Sequence, residues 1–384
     1  MKKTKPVMIS RRDFIKGTVG VAAGAALLGS TQENAFATIP SENPGLEPSG
    51  SEPSQSLFKD SIGRSVAVPA QIETVIPSGL YAQTVLCTLC PEKILSISQE
   101  IESSDKPQYE KADLEEIPEL PKTGSMYSSG NRDIKTAKID IMNADIIIDI
   151  GGQKNDLTLS LDYLQTNTET PTVFVDGSFG KLADAYRTLG QLLNCESRAS
   201  QLADHVEEIQ ALIITKRSNV EKEYKILFAG NDLGLSNHEN YSFQNEAISF
   251  LGGKPVEIPS GPIEGIIDKD ELVKHEMDYI IFNDADCFND ILVAKGEAGA
   301  IWIGVDAIQN GHYALSPGLY HNWIGFPMFV QTIGLLWLGR QVWPSVYNYD
   351  LNTIAKDFYN LFFGYSLTND EISKLVGHKV YSED

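Results

Sequence analysis

Three short stretches of this sequence carry residue types able to do chemistry. Cys87 and Cys90, in LCTLC, have the spacing of a dithiol or of half a zinc site. The glycine- and serine-rich GSMYSSGN, residues 124–131, offers consecutive backbone N–H groups that can curl around a small oxyanion. SPGLYHNWIGFP, residues 316–327, sets His321, Asn322 and Trp323 between a Pro-Gly loop and an apolar run from Met328 to Trp337. Pro327 suits a first helical turn, so this cluster stands at a helix entrance, where residues line a pocket or simply pack.

Other chemistry is thinly supported. The two cysteines of LCTLC sit in an apolar helical pattern where thiols serve as small core residues, and no second CxxC completes a zinc site. The six histidines are scattered, whereas capture of a bare divalent metal needs three or four converging ligands. There is no GxGxxG after a strand, no phosphate loop, no HExxH and no GxSxG, so neither an enzyme nor a resident cofactor is expected. A Ser/His/Asp set built from distant residues stays open, with an exported chelatase-like enzyme or a sensor as its form.

The elements that must position these residues begin after a leader. Lys2, Lys3 and Lys5, then SRRDFIK, then an apolar segment from Gly17 to Gly29, then Ala35-Phe36-Ala37 form an export signal with a small-x-small cleavage site over residues 1–37. The adjacent Arg11 and Arg12 resemble the twin-arginine type, which carries proteins across the membrane already folded. Residues 38–55, rich in Pro, Ser, Gly and Glu, read as a disordered linker. Removing residues 1–37 leaves 25 Lys/Arg and 50 Asp/Glu from the chain's 31 and 52, a formal charge of −25. Such a surface excludes nucleic acid as a partner and keeps the protein soluble. A monomer is expected.

From residue 56 onward, strand and helix patterns alternate. FKDSIGRSVAVP reads as a hairpin about Gly63; Thr74–Ile76, KILSIS, DIIIDIGG and TPTVFVDG read as strands, separated by helical segments. Residues 178–223 show no strand signal, and Leu202, Val206, Ile209, Leu212 and Ile213 recur at helical spacing, predicting one long amphipathic helix. KILFAG, PVEIP, DYIIFND and AIWIGV then read as strands among the helices FQNEAISFLGG and DKDELVKHEM, and the chain closes on two buried helices, the first stopped by Pro344. The fold class is therefore α/β: an N-terminal β-α lobe over 56–177, a connecting helical segment over 178–223 and a C-terminal β-α lobe over 224–384. Roughly 330 folded residues exceed what a single core usually supports.

This layout resembles the substrate-binding proteins of ABC importers for iron-siderophore complexes, haem and cobalamin, the helical-backbone class of periplasmic binding proteins. The resemblance is carried by DSIGRSVAVP, by PKTGSMYSSGNRDI leading into NADIIIDIGG, and by SFLGGKP, DKDELVKHEMDYIIF and LLWLGRQVWP. It implies two lobes joined by one long helix, with the ligand in the cleft between them. It further implies ligand contacts from Tyr81, Ser125, Met126, Tyr127, Ser128, Asn131 and Gln153 in the first lobe. In the second lobe it implies Asn231, Tyr241, His321, Asn322 and Trp323. These are mostly neutral donors and flat rings, with Arg132 the one arginine nearby, which suits a large chelated ligand better than an anion clamp. Tyr127 or His321 is suited to ligate a metal already inside a macrocycle. The expected ligand is a metal chelate, with a molybdate or tungstate oxyanion as alternative. The expected partner is an ABC permease, docked through Asp133 of one lobe and Asp270 and Glu271 of the other.

Overall fold

The computed structural model describes residues 36–38, 55–101, 114, 116–126, 134–152, 156–231, 233–236, 242–263, 265–319, 321–325 and 328–376. Strand β1 (Phe36–Thr38) pairs antiparallel with β2 (Gln55–Lys59), and β2 with β3 (Ser65–Pro69). The β2–β3 turn places Gly63 at φ 86°, a left-handed conformation that glycine adopts without cost. Asp60 pins this turn by accepting from the Ile62 and Arg64 N–H groups.

The first parallel sheet follows, in the order β4-β5-β6, from β4 (Val75–Pro77), β5 (Ile146–Gly151) and β6 (Thr172–Asp176). Parallel neighbours require crossovers, and α1 (Leu80–Leu89), α2 (Thr136–Asp140) and α3 (Leu157–Thr168) lie within them. Two helices come next, α4 (Leu182–Leu193) and α5 (Glu196–Arg217). The single helix expected over residues 178–223 is thus a pair. Asn194, at φ 54°, ends α4 in the left-handed conformation that asparagine tolerates, and the 22-residue α5 is the long connector. Arg187 of α4 holds the pair together, bonding Asp204 at 2.8 Å and both oxygens of Glu207 on α5.

The second sheet runs β10-β9-β7-β8, all parallel, from β7 (Lys225–Ala229), β8 (Lys254–Pro255), β9 (Tyr279–Phe282) and β10 (Tyr313–Leu315). Helix α6 (Ser242–Leu251) connects β7 to β8, and α7 (Lys269–Leu272) precedes β9. Between β9 and β10 lie α8 (Ala285–Leu292), α9 (Gly296–Trp302) and α10 (Asp306–Gln309). A two-residue hairpin, β11 (Gly318–Leu319) with β12 (His321–Asn322), leads to α11 (Met328–Val342), α12 (Leu351–Phe363) and α13 (Asn369–Val376).

Four local expectations are corrected. KILSIS forms no strand: Ile94 and Ile97 make only isolated bridges, to Val75 and Lys122. PVEIP contributes one residue, Pro255, to β8. DKDELVKHEM supplies a single helical turn. AIWIGV gives its first three residues, Ala300–Trp302, to the end of helix α9, where Ala298 and Trp302 are buried one turn apart while Ile303, just past the helix, is exposed. The strand in that region is β10, whose three residues are too few to show a periodicity.

Burial alternates along both sheets with period two. Val75, Ile146, Ile148, Val173 and Val175 face the main core, and Ile76, Ile147 and Phe174 a smaller outer one. In the second sheet Ile226, Phe228 and Ile281 face the same main core, and Leu227, Ala229, Ile280 and Phe282 an outer cluster around Trp302. The main core runs on through α5 and the C-terminal helices, where Phe329 stacks on Phe362 at 5.2 Å.

Candidate ligand-binding cleft

In parallel β-α sheets, ligands bind beyond the carboxyl ends of the strands, where backbone groups and helix N-termini are exposed. In the first sheet that edge is Ser78, Gly151 and Gly177. It is tightly cross-linked: Met126 N–H donates to Ser78 O at 2.9 Å, Gly177 N–H to Gly151 O at 2.9 Å, and Ser78 Oγ donates to the Asp149 carboxylate. The N-terminus of α1 opens here with Gly79 as its cap residue and no side-chain cap. Its N–H groups therefore lack the usual side-chain acceptor.

Tyr81 lies in the first turn of α1, but it is only 5% exposed, and its hydroxyl donates to Gly177 O. A Cβ on Gly177 would sit 2.7 Å from Ile150 Cγ2 and 3.0 Å from Tyr81 Oη, so only glycine allows this approach. Tyr81 thus braces the edge from beneath. Burial, with smaller contributions from Tyr186, Asp176 and Glu246, holds its hydroxyl well above the usual range, so it stays a neutral donor. Met126 likewise turns inward to the outer core, while Ser125 beside it is half-buried.

The second sheet presents Asn231, Asn283 and Ser316. Asn231 follows β7 at φ 66°, and its Oδ1 accepts the N–H groups of Leu233 and Leu235, both at 3.1 Å. Its side-chain oxygen therefore shapes the loop. Asn322 does the same for the next loop: its Oδ1 accepts from Ser316 Oγ at 2.6 Å, Gly325 N at 2.9 Å and Ile324 N at 3.1 Å.

Trp323 departs from its expected place in the cleft. It is fully buried in the main core, and its indole N–H donates to Tyr359 Oη at 2.8 Å. Helix α11 presses against it so closely that a Cβ on Gly334 would stand 1.8 Å from Trp323 O. A helix entrance rich in apolar residues was as good a signal for packing as for a pocket, and packing is what the interior took. Tyr127, Ser128, Asn131, Gln153, Tyr241 and Asp133 lie outside the described residues, as does the side chain of His321.

Two acidic residues outside the expected contacts stand near each other at these edges. Asp176, at the end of β6, and Glu246, on α6, come from opposite lobes and interact electrostatically. Partial burial first and Asp176 second raise the Glu246 carboxyl above its usual range. Beside them Phe179 and Phe250 meet edge to face at 4.9 Å, joining the lobes. The signal for Asp176 was its position directly after the apolar run TVFV. Glu246, inside a helix, gave none. Among the described residues no group of three or more His, Cys, Asp or Glu is arranged to hold a metal ion, and no helix is long and apolar enough to cross a membrane.

Comparison with known proteins agrees with this architecture. Residues 8–29 match the TAT (twin-arginine translocation) pathway signal sequence family, marking the chain for export by that route. No curated protein matches the sequence. Among solved structures, an ABC transporter solute binding protein from Sulfurospirillum deleyianum superposes with a TM-score of 0.73 at 20% identity, covering 84% of this chain and 99% of the other. A periplasmic solute binding protein from Veillonella parvula gives 0.63 at 20% identity, covering 84% and 97%. The molybdate periplasmic binding protein MolA of Haemophilus influenzae, bound to molybdate, gives 0.62 at 15% identity, covering 81% and 99%. The chain therefore has the fold of two-lobed ABC-transporter solute-binding proteins.

Proposed function

We propose that this protein is the extracytoplasmic substrate-binding component of an ABC importer, capturing a metal chelate such as an iron-siderophore complex, haem or a corrinoid and delivering it to a membrane permease. One observation carries the reading: two parallel sheets, their carboxyl edges lined by short cross-linked loops, joined through one long helix on a chain addressed for export. That is the geometry of a binding cleft, and it needs no reacting group. Asp176 and Glu246 between the lobes favour a ligand that is neutral or positive there, which a chelated metal satisfies. Asp270, exposed, and Glu271, paired with Lys274 at 2.7 Å, stand at the start of α7 and supply the second lobe's docking point, with Asp133 as the first.

A second reading, a molybdate or tungstate binder, draws on the uncapped N-terminus of α1, which suits a small anion. A single experiment separates the two. Native mass spectrometry and absorption spectroscopy of the mature protein from its own host, followed by calorimetric titration with ferric siderophores, haem, corrinoids and molybdate, should show a bound chromophore and micromolar or tighter affinity for a chelate. Binding of molybdate alone would select the second reading, and binding of none would overturn both.

A further inference from the structure

The export signal and the fold meet at one strand. The expected cleavage site follows Ala35-Phe36-Ala37, so the bond to be cut joins Ala37 to Thr38. Those residues lie in β1, which pairs with β2 in the register Phe36 with Phe58, Ala37 with Leu57 and Thr38 with Ser56. A chain exported by the twin-arginine route is folded before its signal comes off. The bond therefore reaches the peptidase as part of a sheet.

The phase of the ladder tells which groups are engaged. At the β2–β3 turn Asp60 N–H donates to Arg64 O and Gly63 N–H to Asp60 O, each at 2.9 Å, so Asp60 and Arg64 face each other as a hydrogen-bonded pair. Residues two apart on a strand point their backbone groups the same way, and the residue between them points to the opposite neighbour. Phe58 and Ser56 are in step with Asp60 and bond to Val66 and Val68 of β3; Pro69, which has no N–H, falls opposite Gln55 at an unbonded position. Leu57 turns its N–H and C=O the other way, to Ala37. The carbonyl oxygen of the bond to be cut is thus the acceptor for Leu57 N–H.

Strand β2 is a firm platform. Its hairpin is fastened to the first lobe: Ser61 N–H donates to Phe174 O at 3.0 Å, Ser61 Oγ accepts from Asp176 N–H at 2.9 Å, and Arg64 donates to Thr172 O at 3.2 Å. Phe58, Val66 and Val68 are buried in the main core. Strand β1, by contrast, is three residues long and lies at the outer edge of its sheet, so it can peel away while β2 stays in place.

We infer that folding masks the signal-removal site, so that β1 must peel from β2 before the export signal is cut. A peptidase takes its substrate as an extended strand and places the attacked carbonyl in an oxyanion hole, and Ala37 O cannot enter one while it is bonded to Leu57 N–H. In the open form the peptidase adds one water across the bond. The Ala37 carbonyl carbon takes the oxygen and becomes a carboxylate, the C–N bond breaks, and the Thr38 nitrogen leaves as the new terminal ammonium. Cutting takes Phe36 and Ala37 out of the ladder, so β1 cannot re-form and β2 becomes the edge of the sheet. Release is one-way, at a rate set by the local opening.

The test uses the full precursor, folded and in detergent, with a purified signal peptidase that cuts after small-x-small sites. Leu57→Pro removes the N–H that holds Ala37 O but leaves the bonds of Ser56 and Phe58 to β3, so it should be processed about tenfold or more faster than the unaltered chain. Leu57→Ala, which keeps the N–H, should be processed at the unaltered rate. Both products should begin at Thr38. Hydrogen exchange on the unaltered chain gives a readout free of any substitution: the Leu57 amide should exchange about tenfold or more slowly in the precursor than after the signal is removed. Equal processing of the unaltered and Leu57→Pro chains, an equal gain in Leu57→Ala, a product that begins elsewhere, or a Leu57 amide indifferent to cleavage would each overturn the inference.

Discussion

Trp323 shows how far a residue's type can be read without its surroundings. An indole in a Pro-Gly loop beside histidine and asparagine looks like a binding group, yet its N–H is already used by Tyr359 and its ring is enclosed. Replacing it with Phe should lower unfolding free energy by about 2–4 kcal/mol, since it removes a buried hydrogen bond and leaves a void. Ligand affinity of the folded variant should be unchanged, as chemical denaturation and calorimetry on one preparation will reveal. Glu246 makes the opposite case, a charge where charge is disfavoured. Its folded-state pKa lies above the unfolded value, so the folded chain binds a proton more tightly, and its carboxylate costs stability at neutral pH. Glu246→Gln should therefore stabilise the folded chain slightly at neutral pH, by no more than roughly a few tenths of a kcal/mol because the side chain is exposed. The advantage should fade as pH falls through the raised pKa toward the ordinary glutamate value. An advantage that persisted at low pH would remove the charge from the explanation.

At the scale of elements, what the sequence disclosed follows from length and contrast. β5 and β6 were legible because six and five consecutive residues are nearly all buried, and α5 because its apolar stripe repeats over 22 residues. AIWIGV misled because six apolar or small residues fit a buried strand and a helix equally well, and β8 and β10 are too short to announce themselves. The site was less legible than the fold, since its edges are made by backbone turns at Ser78, Gly177, Asn231 and Asn322, whose partners are distant in sequence. Helix α11 illustrates a constraint no periodicity reveals. Gly334 lets its backbone lie against Trp323 O, so Gly334→Ala should cost about 3 kcal/mol or more by forcing the helix outward, despite alanine's better helix propensity. A gain in stability in urea titration would contradict this packing.

The molecule as a whole presents an acidic exterior, and docking to a permease requires particular carboxylates to stand out against that background. Reversing Asp270 and Glu271 together to Lys should abolish uptake while ligand affinity stays within about twofold, because both stand in the single turn of α7, with Asp270 exposed and Glu271 turned toward Lys274. Normal uptake would return them to the role of helix-start acids. The main core, meanwhile, does not respect the division into lobes: it extends from Phe58 through α5 to Leu375 without interruption. Its consequence is thermodynamic. The halves share one interior, so neither can melt while the other survives, and scanning calorimetry should record a single endotherm whose van't Hoff and calorimetric enthalpies agree. For the same reason, expressing either half alone would expose a wide apolar face, and the fragments should aggregate where the intact chain stays dispersed.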